Sequence, residues 1–263
     1  MLFEDPTYSY VVFPVVMGLA TEALNPIIFF LFTSVLGYKT VGAEAIPKRG
    51  KYLEKLETID YLYITCSRLL VIPFAYHFLS FGLYSPAISR SWDELTFLNT
   101  IVATGLLFLI YDAVYQPFHR ILHLPAFYPY VHKHHHRQMV PTRGNVDAVN
   151  VHPFEFVTGE YMHLFSVYVL SKVMDVHIVG MLSFLIIGAI CTTLNHSRID
   201  FTFPGIIGSI YHDMHHSVYP FQNNYSQYTI LWDRVYGTFM NRKERDGLKP
   251  PGVPRTDAAK SVN

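Results

Sequence analysis

Apolar residues occur along this chain in long unbroken blocks, not in the narrow stripe of a surface helix. A bilayer core takes about 20 mostly apolar residues as one helical crossing. Residues 10–36, YVVFPVVMGLATEALNPIIFFLFTSVL, form the first such block. Glu22, Asn25 and Pro26 sit in its middle, where a kink or break is expected. Residues 61–83 form the second, interrupted by Arg68 and His77, and residues 97–113 the third, clean until Asp112. The block over 161–194 would make about 50 Å of helix, against about 30 Å for one crossing. It therefore predicts a hairpin of two short crossings that turns near Asp175 and His177. The fold class that follows is all-α: a multi-pass membrane helical bundle, with the polar segments between and after the blocks forming a helical cap.

Composition agrees. The chain has 263 residues, 51% hydrophobic and 15% charged, where soluble domains carry roughly 25% charge. The formal net charge is zero, and no basic stripe supports nucleic-acid binding. Cys66 and Cys191 lie in apolar blocks, which suits small buried hydrophobes and not a disulfide framework. The start, MLFEDPTYSY, has no basic region of the kind that precedes a signal-peptide core, so the first apolar block is expected to target the chain itself. Basic residues gather at Lys39, Lys48, Arg49, Lys51 and Lys55; at Arg120, Lys133, Arg137 and Arg143; and at Arg234, Arg242, Lys243 and Arg245. The crossing order puts all three groups on one face, which the positive-inside rule makes cytosolic, with the acidic N-terminus opposite.

The cap carries most of the 14 histidines, and their spacing is ordered. HRILH places His119 and His123 four apart. HKHHH holds His132, His135 and His136, and YHDMHH repeats the same spacing with His212, His215 and His216. His152 and His196 lie between the boxes. Residues three or four apart share a helix face, so each box aims imidazoles at one point. Imidazole suits iron, zinc or copper, and these ten rings exceed one tetrahedral zinc site. They are enough for two metals at four or five ligands each. His134 falls out of the spacing and is expected to point away, while His77, His163 and His177 are isolated and expected to be packed or capping rings. Asp112, Asp147, Glu155 and Asp213 are the candidate carboxylates to hydrogen-bond the far nitrogens of ligating rings. Trp232, Tyr228, Tyr236 and Phe239 suggest an interfacial aromatic strip.

These boxes, the stretch at His152, NHS at His196 and the closing NNYSQYTILWDRVYGTF together resemble the integral-membrane fatty acid hydroxylase and sterol desaturase superfamily. The resemblance covers roughly residues 106–239. It implies membrane spans and a basic loop over 1–105, a catalytic domain over 106–240, and a tail over 241–263, which its prolines and lack of periodicity mark as disordered. It also implies an enzyme of the endoplasmic reticulum membrane with two iron ions as cofactor. O2 would be the co-substrate, with electrons from NAD(P)H through an external donor, cytochrome b5 and its reductase. No HPGG stretch of a fused cytochrome b5 occurs. Breaking an unactivated C–H bond needs redox chemistry that side chains lack, so a bound metal must carry it. The expected function is hydroxylation or desaturation of a sterol or sterol precursor, with fatty-acyl or sphingolipid hydroxylation as the alternative. Two other readings remain: a membrane metal transporter, which would line its spans with ionisable residues, and an inactive scaffold.

Overall fold

The computed structural model describes residues 11–35, 44–45, 53–203, 207–218, 221–241 and 244. The acidic N-terminus, most of the first basic loop (Lys39, Lys48, Arg49, Lys51), the cations Arg242, Lys243 and Arg245, and nearly all of the expected tail lie outside them.

Among the described residues, six α-helices of nine residues or more carry the fold. α1 spans Phe13–Phe30 and runs through Pro26 before changing to a π-helical turn, Leu31–Val35. The break expected in the middle of this block is not seen: the helix is continuous through Glu22, Asn25 and Pro26, and the π-helical turn begins five residues beyond the proline. α2 spans Thr58–Tyr84, and α3 spans Ala103–Leu122 after a π-helical turn, Leu98–Val102. α4 is Pro153–Leu170, α5 is Ile178–Asn195 and α6 is Ser209–Ser217. Proline at the first position of α4 loses no hydrogen bond there. Between the helices, the described residues form three two-stranded ladders. β1 (Glu44–Ala45) pairs antiparallel with β4 (Ile199–Asp200), and β2 (Ile88–Ser89) pairs parallel with β3 (Val176–His177). β5 (Thr202–Phe203) pairs antiparallel with β6 (Ile207–Gly208).

Among the described residues, three helical segments are long and apolar enough to cross a membrane: Thr58–Tyr84, Leu98–Leu122 and Ile178–Asn195. The hairpin expected over 161–194 is present as α4 and α5, with its turn before β3. Its first arm starts earlier than the apolar block, because His152 and Pro153 initiate the helix eight residues upstream of Tyr161. That shift brings Glu155 and Glu160 into α4, which is not among the three apolar segments.

The main core joins Phe74 and Phe78 of α2, Leu107, Phe108 and Tyr111 of α3, Met162 and Val167 of α4, and Met181 and Phe184 of α5. Tyr228, from the segment after α6, closes the same cluster. Between helices in lipid the hydrophobic driving force is weak, so close packing and hydrogen bonds must hold the bundle. α5 meets the start of α3 through Gly180, where an added Cβ would stand 2.8 Å from the Asn99 carbonyl oxygen. The same contact is sealed by the Thr104 hydroxyl, which donates to the Gly180 carbonyl at 3.1 Å.

Candidate metal centre

The last turn of α3, the turns over 128–137, the end of α5 and all of α6 converge on one buried volume. Nine imidazoles meet there in two groups, and within each group the ligating nitrogens lie within 4.8 Å of one another. The first cluster is His119, His123, His132, His136 and His215; the second is His135, His196, His212 and His216. All are buried except His123, which is half-buried.

The partition follows from helical geometry. At about 100° per residue, positions i and i+4 differ by about 40°, whereas i+3 and i+4 diverge by about 100°. In α6 the i and i+4 rings, His212 and His216, face the second cluster, and His215 turns to the first. The middle box shows the converse. His132 and His136 serve the first cluster and His135 the second, although this backbone is a π-helical turn ending at His132 followed by a 3-10 turn, His135–Arg137. Each H-x-x-H-H box thus supplies both clusters.

Hydrogen bonds to the outer nitrogens fix the ring orientations. His119 Nδ1 donates to the Tyr225 carbonyl at 2.7 Å and His215 Nδ1 to the Asn223 carbonyl at 2.7 Å. His196 Nδ1 donates to the Thr192 carbonyl at 2.9 Å, and His132 Nδ1 pairs with Glu155 Oε1 at 2.8 Å. In a neutral ring whose proton is on Nδ1, Nε2 carries only a lone pair. His119 Nε2 and His132 Nε2 nevertheless face each other at 3.0 Å. His132 and His136 approach equally closely, and His136 and His215 at 3.1 Å. The facing lone pairs of His119 and His132 repel at that range unless a cation lies between them, whereas His136, with no partner on Nδ1, can donate from Nε2. His216 has no hydrogen-bond partner on either nitrogen, and His136 and His212 have none on Nδ1. Burial pushes the pKa of His132, His135, His136, His212, His215 and His216 well below 6.5, and neighbouring imidazoles push it further. Neutral, buried, convergent imidazoles are the donor set that a borderline transition metal takes, and the residues fit such ions at both clusters.

Other expected site residues are placed differently. His152 joins neither cluster: it caps α4, its Nδ1 accepting the Phe154 N–H at 3.2 Å. Next to Pro153 the chain must be extended, and that conformation turns the ring toward its own helix. Of the four candidate carboxylates, Glu155 pairs with a clustered histidine, His132. Asp112 instead accepts the backbone N–H groups of Gln227, Tyr228 and Thr229 at 3.0, 3.2 and 2.5 Å. Asp147 accepts from Thr142 N and Arg143 N at 2.8 Å each, and Asp213 pairs with Arg198. His134 points away, 2.9 Å from Asn150 Oδ1 and 3.0 Å from Asp60 Oδ1. His163 is a packed ring, hydrogen-bonded to the Tyr228 hydroxyl at 2.8 Å, and His177 caps α5. Of the expected aromatic strip, Tyr228 is buried in the core, while Trp232 donates to the Leu109 carbonyl at 2.8 Å.

The carbonyls that orient His119 and His215 were not anticipated. They belong to segment 223–229, where Asp112 grips one end and Asp233 the other, accepting Tyr225 N at 2.8 Å and Ser226 N at 2.9 Å. A carbonyl is available from any residue type, so no sequence signal marks it.

A cleft with about 1160 Å³ of empty space, counted with its open mouth, lies among α2, α3, α4 and α5. Val71, Phe74, Phe156, Leu185 and Ala189 supply apolar wall, and His135, His196 and His212 of the second cluster also line it. No histidine of the first cluster does.

Residues 104–238 match the fatty acid hydroxylase family. The chain is 26% identical over 256 residues to lathosterol oxidase of Rattus norvegicus, covering 93% of this chain and 82% of that one. It is 35% identical over 133 residues to the Delta(7)-sterol 5(6)-desaturase of Leptosphaeria maculans, covering 49% and 34%. It is 32% identical over 143 residues to the sphingolipid C4-hydroxylase sur2 of Schizosaccharomyces pombe, covering 52% and 47%. No solved structure gives a significant match.

Proposed function

The chain belongs to the fatty acid hydroxylase family, and from that premise we propose that it is a membrane oxidoreductase that hydroxylates or desaturates a C–H bond of a sterol or sterol precursor. The observation that carries the reading is the pair of buried histidine clusters, one of which opens on an apolar cleft. The cleft's apolar wall suits a hydrocarbon skeleton.

His119, His123, His132, His136 and His215 would hold one iron ion, and His135, His196, His212 and His216 the other. Iron bound there would supply the redox chemistry with O2 that side chains lack. The residues themselves orient and exclude. Glu155 holds His132, and three backbone carbonyls hold His119, His196 and His215, so that every one of these rings presents Nε2 inward. Phe156, Leu185 and Ala189 would give the cleft an apolar wall against the hydrocarbon of the substrate. Electrons would come from NAD(P)H through cytochrome b5 and its reductase docked on the cytosolic face of an endoplasmic reticulum membrane. The catalytic unit would run over 106–240, with spans before it.

Sterol is preferred because lathosterol oxidase and the sterol desaturases match much of this chain. The sphingolipid hydroxylase match favours the second reading, hydroxylation of a long-chain base or acyl chain. The test is mass-spectrometric profiling of sterols and sphingolipids in a host that makes both. One culture expresses the intact chain and the other a His135→Ala/His212→Ala variant. A new double bond or hydroxyl seen only with the intact chain establishes the activity and names the substrate class. Purified protein that holds exchangeable zinc and no iron would instead support transport and overturn the proposal.

A further inference from the structure

The loop carrying the middle histidine box is fastened to a part of the chain that precedes the family-matched segment. Asp60, in the first turn of α2, is fully buried. One of its oxygens, Oδ2, accepts the Glu57 backbone N–H at 2.7 Å and completes a helix cap. A cap needs only that. The other oxygen, Oδ1, faces three groups: His134 Nε2 at 3.0 Å and Arg137 Nη1 at 3.4 Å from the histidine loop, and Asn150 Nδ2 at 3.0 Å from the segment before α4.

Those three groups are arranged around His135. His134 and Arg137 flank the His135–His136 pair in sequence, so one carboxylate oxygen grips the turn on both sides of it. Asn150 reaches the same site from the opposite side. Its side-chain carbonyl takes His134 Nε2 at 2.9 Å, and its backbone faces the His135 ring, where it opposes the lowering of that ring's pKa by burial. Around this hub the neighbouring strand of chain is stitched to the same loop: Leu53 N donates to Gln138 Oε1 at 2.9 Å, and Arg143 donates to the carbonyls of Leu53 and Glu54. A charged acceptor shared by several buried donors is a strong positioning device, because each hydrogen bond to a charge is worth more than a neutral one.

We propose that Asp60 is a positioning residue of the metal centre, which holds the 134–137 turn so that His135 reaches the second cluster. The inference rests on the metal reading above. His135 is one of four rings in that cluster, whereas its neighbour His136 is one of five in the first. Loosening the turn therefore leaves the second cluster with three ligands and the first with four. The metal of the second cluster is the one that depends on Asp60.

The test is iron content per chain and the rate of iron loss to a chelator, measured on detergent-purified protein. Parent, Asp60→Asn, Asp60→Ala and Glu57→Gln are compared. Asp60→Asn keeps the shape and one acceptor but loses the charge. Glu57→Gln weakens the helix start and the Arg137–Glu57 contact (2.8 Å) without touching Oδ1. The expected result is two irons in the parent and in Glu57→Gln. Asp60→Ala should hold about one, and Asp60→Asn should lose its second iron at least tenfold faster than the parent. Two irons with parental release rates in both Asp60 variants would overturn the inference. So would equal loss of both metals in all three variants, which would mark a general folding defect. A parent with no bound metal would overturn the centre itself, and that result is read in the parent sample alone.

Discussion

Removing the Asp112 carboxylate should destabilise the protein before any chemistry is tested. Its oxygens accept three backbone N–H groups, from Gln227, Tyr228 and Thr229, and the site is fully buried. Asp112→Ala strands all three donors. Each stranded buried donor costs about 1–3 kcal/mol, so the sum is about 3–6 kcal/mol once partial relaxation is allowed. Asp112→Asn keeps one acceptor and should fall roughly halfway. With about 2–4 °C of melting temperature per kcal/mol for a chain approaching this size, the alanine variant should melt on the order of 10 °C lower. The assay is thermal unfolding of metal-free protein in detergent, so that ligand binding does not enter. The ordering parent, Asn, Ala is as important as the size. If Asp112 acted directly on a metal-binding ring instead, the metal-free proteins would melt together and only the loaded ones would separate. Metal-free Asp112→Ala melting within roughly 2 °C of the parent would refute the reasoning.

Glu155→Gln leaves an acceptor opposite His132 Nδ1 but removes the charge, and losses of such partners typically weaken metal binding about 10–100-fold; chelator competition should show this, and unchanged affinity would refute the role. Acid should release the metals and unfold the metal-free protein. Six buried imidazoles have pKa values pushed well below 6.5 by burial, so below pH 6.5 the unfolded chain takes up protons that the folded chain refuses. Stability is present above that pH and lost as pH falls, at up to about 1.4 kcal/mol per group per unit; a melting temperature flat from pH 7.5 to 5 would contradict it. Gly180→Ala forces a Cβ to 2.8 Å from the Asn99 carbonyl oxygen and should cost about 1–3 kcal/mol by overpacking, read as a lower melting temperature of the intact bundle.

The features set by short-range periodicity could be read from the sequence. Apolar blocks located α1, α2, α3 and the α4–α5 hairpin, and the histidine spacing located both H-x-x-H-H boxes, since neighbouring positions on a helix turn impose that geometry. His134 was separable for the same reason. What the spacing could not show was which cluster each ring joins, because a repeat of three and one fits a single site as well as two. Nor could it show partners distant in the chain. Asp112 lies two helical turns before His119, which made it look like a partner for that ring, yet segment 223–229 reaches it first with three N–H groups. His152 looked like a ligand by composition, and the adjoining Pro153 made it a cap. Asp60 carried no motif at all.

The alternation of neighbouring rings between the two clusters has a mechanical consequence. His135 and His136 are joined by one peptide bond, and so are His215 and His216, yet each pair straddles the clusters. Consecutive Cα atoms are held about 3.8 Å apart by bond lengths and a planar amide. At these two points the spacing of the clusters is therefore gauged by covalent geometry, not by the distance between helices. When the bundle breathes, helices slide against one another far more readily than bonds stretch. The two clusters then travel as one rigid piece, and the quantity left free to vary is their position relative to the lipid cleft.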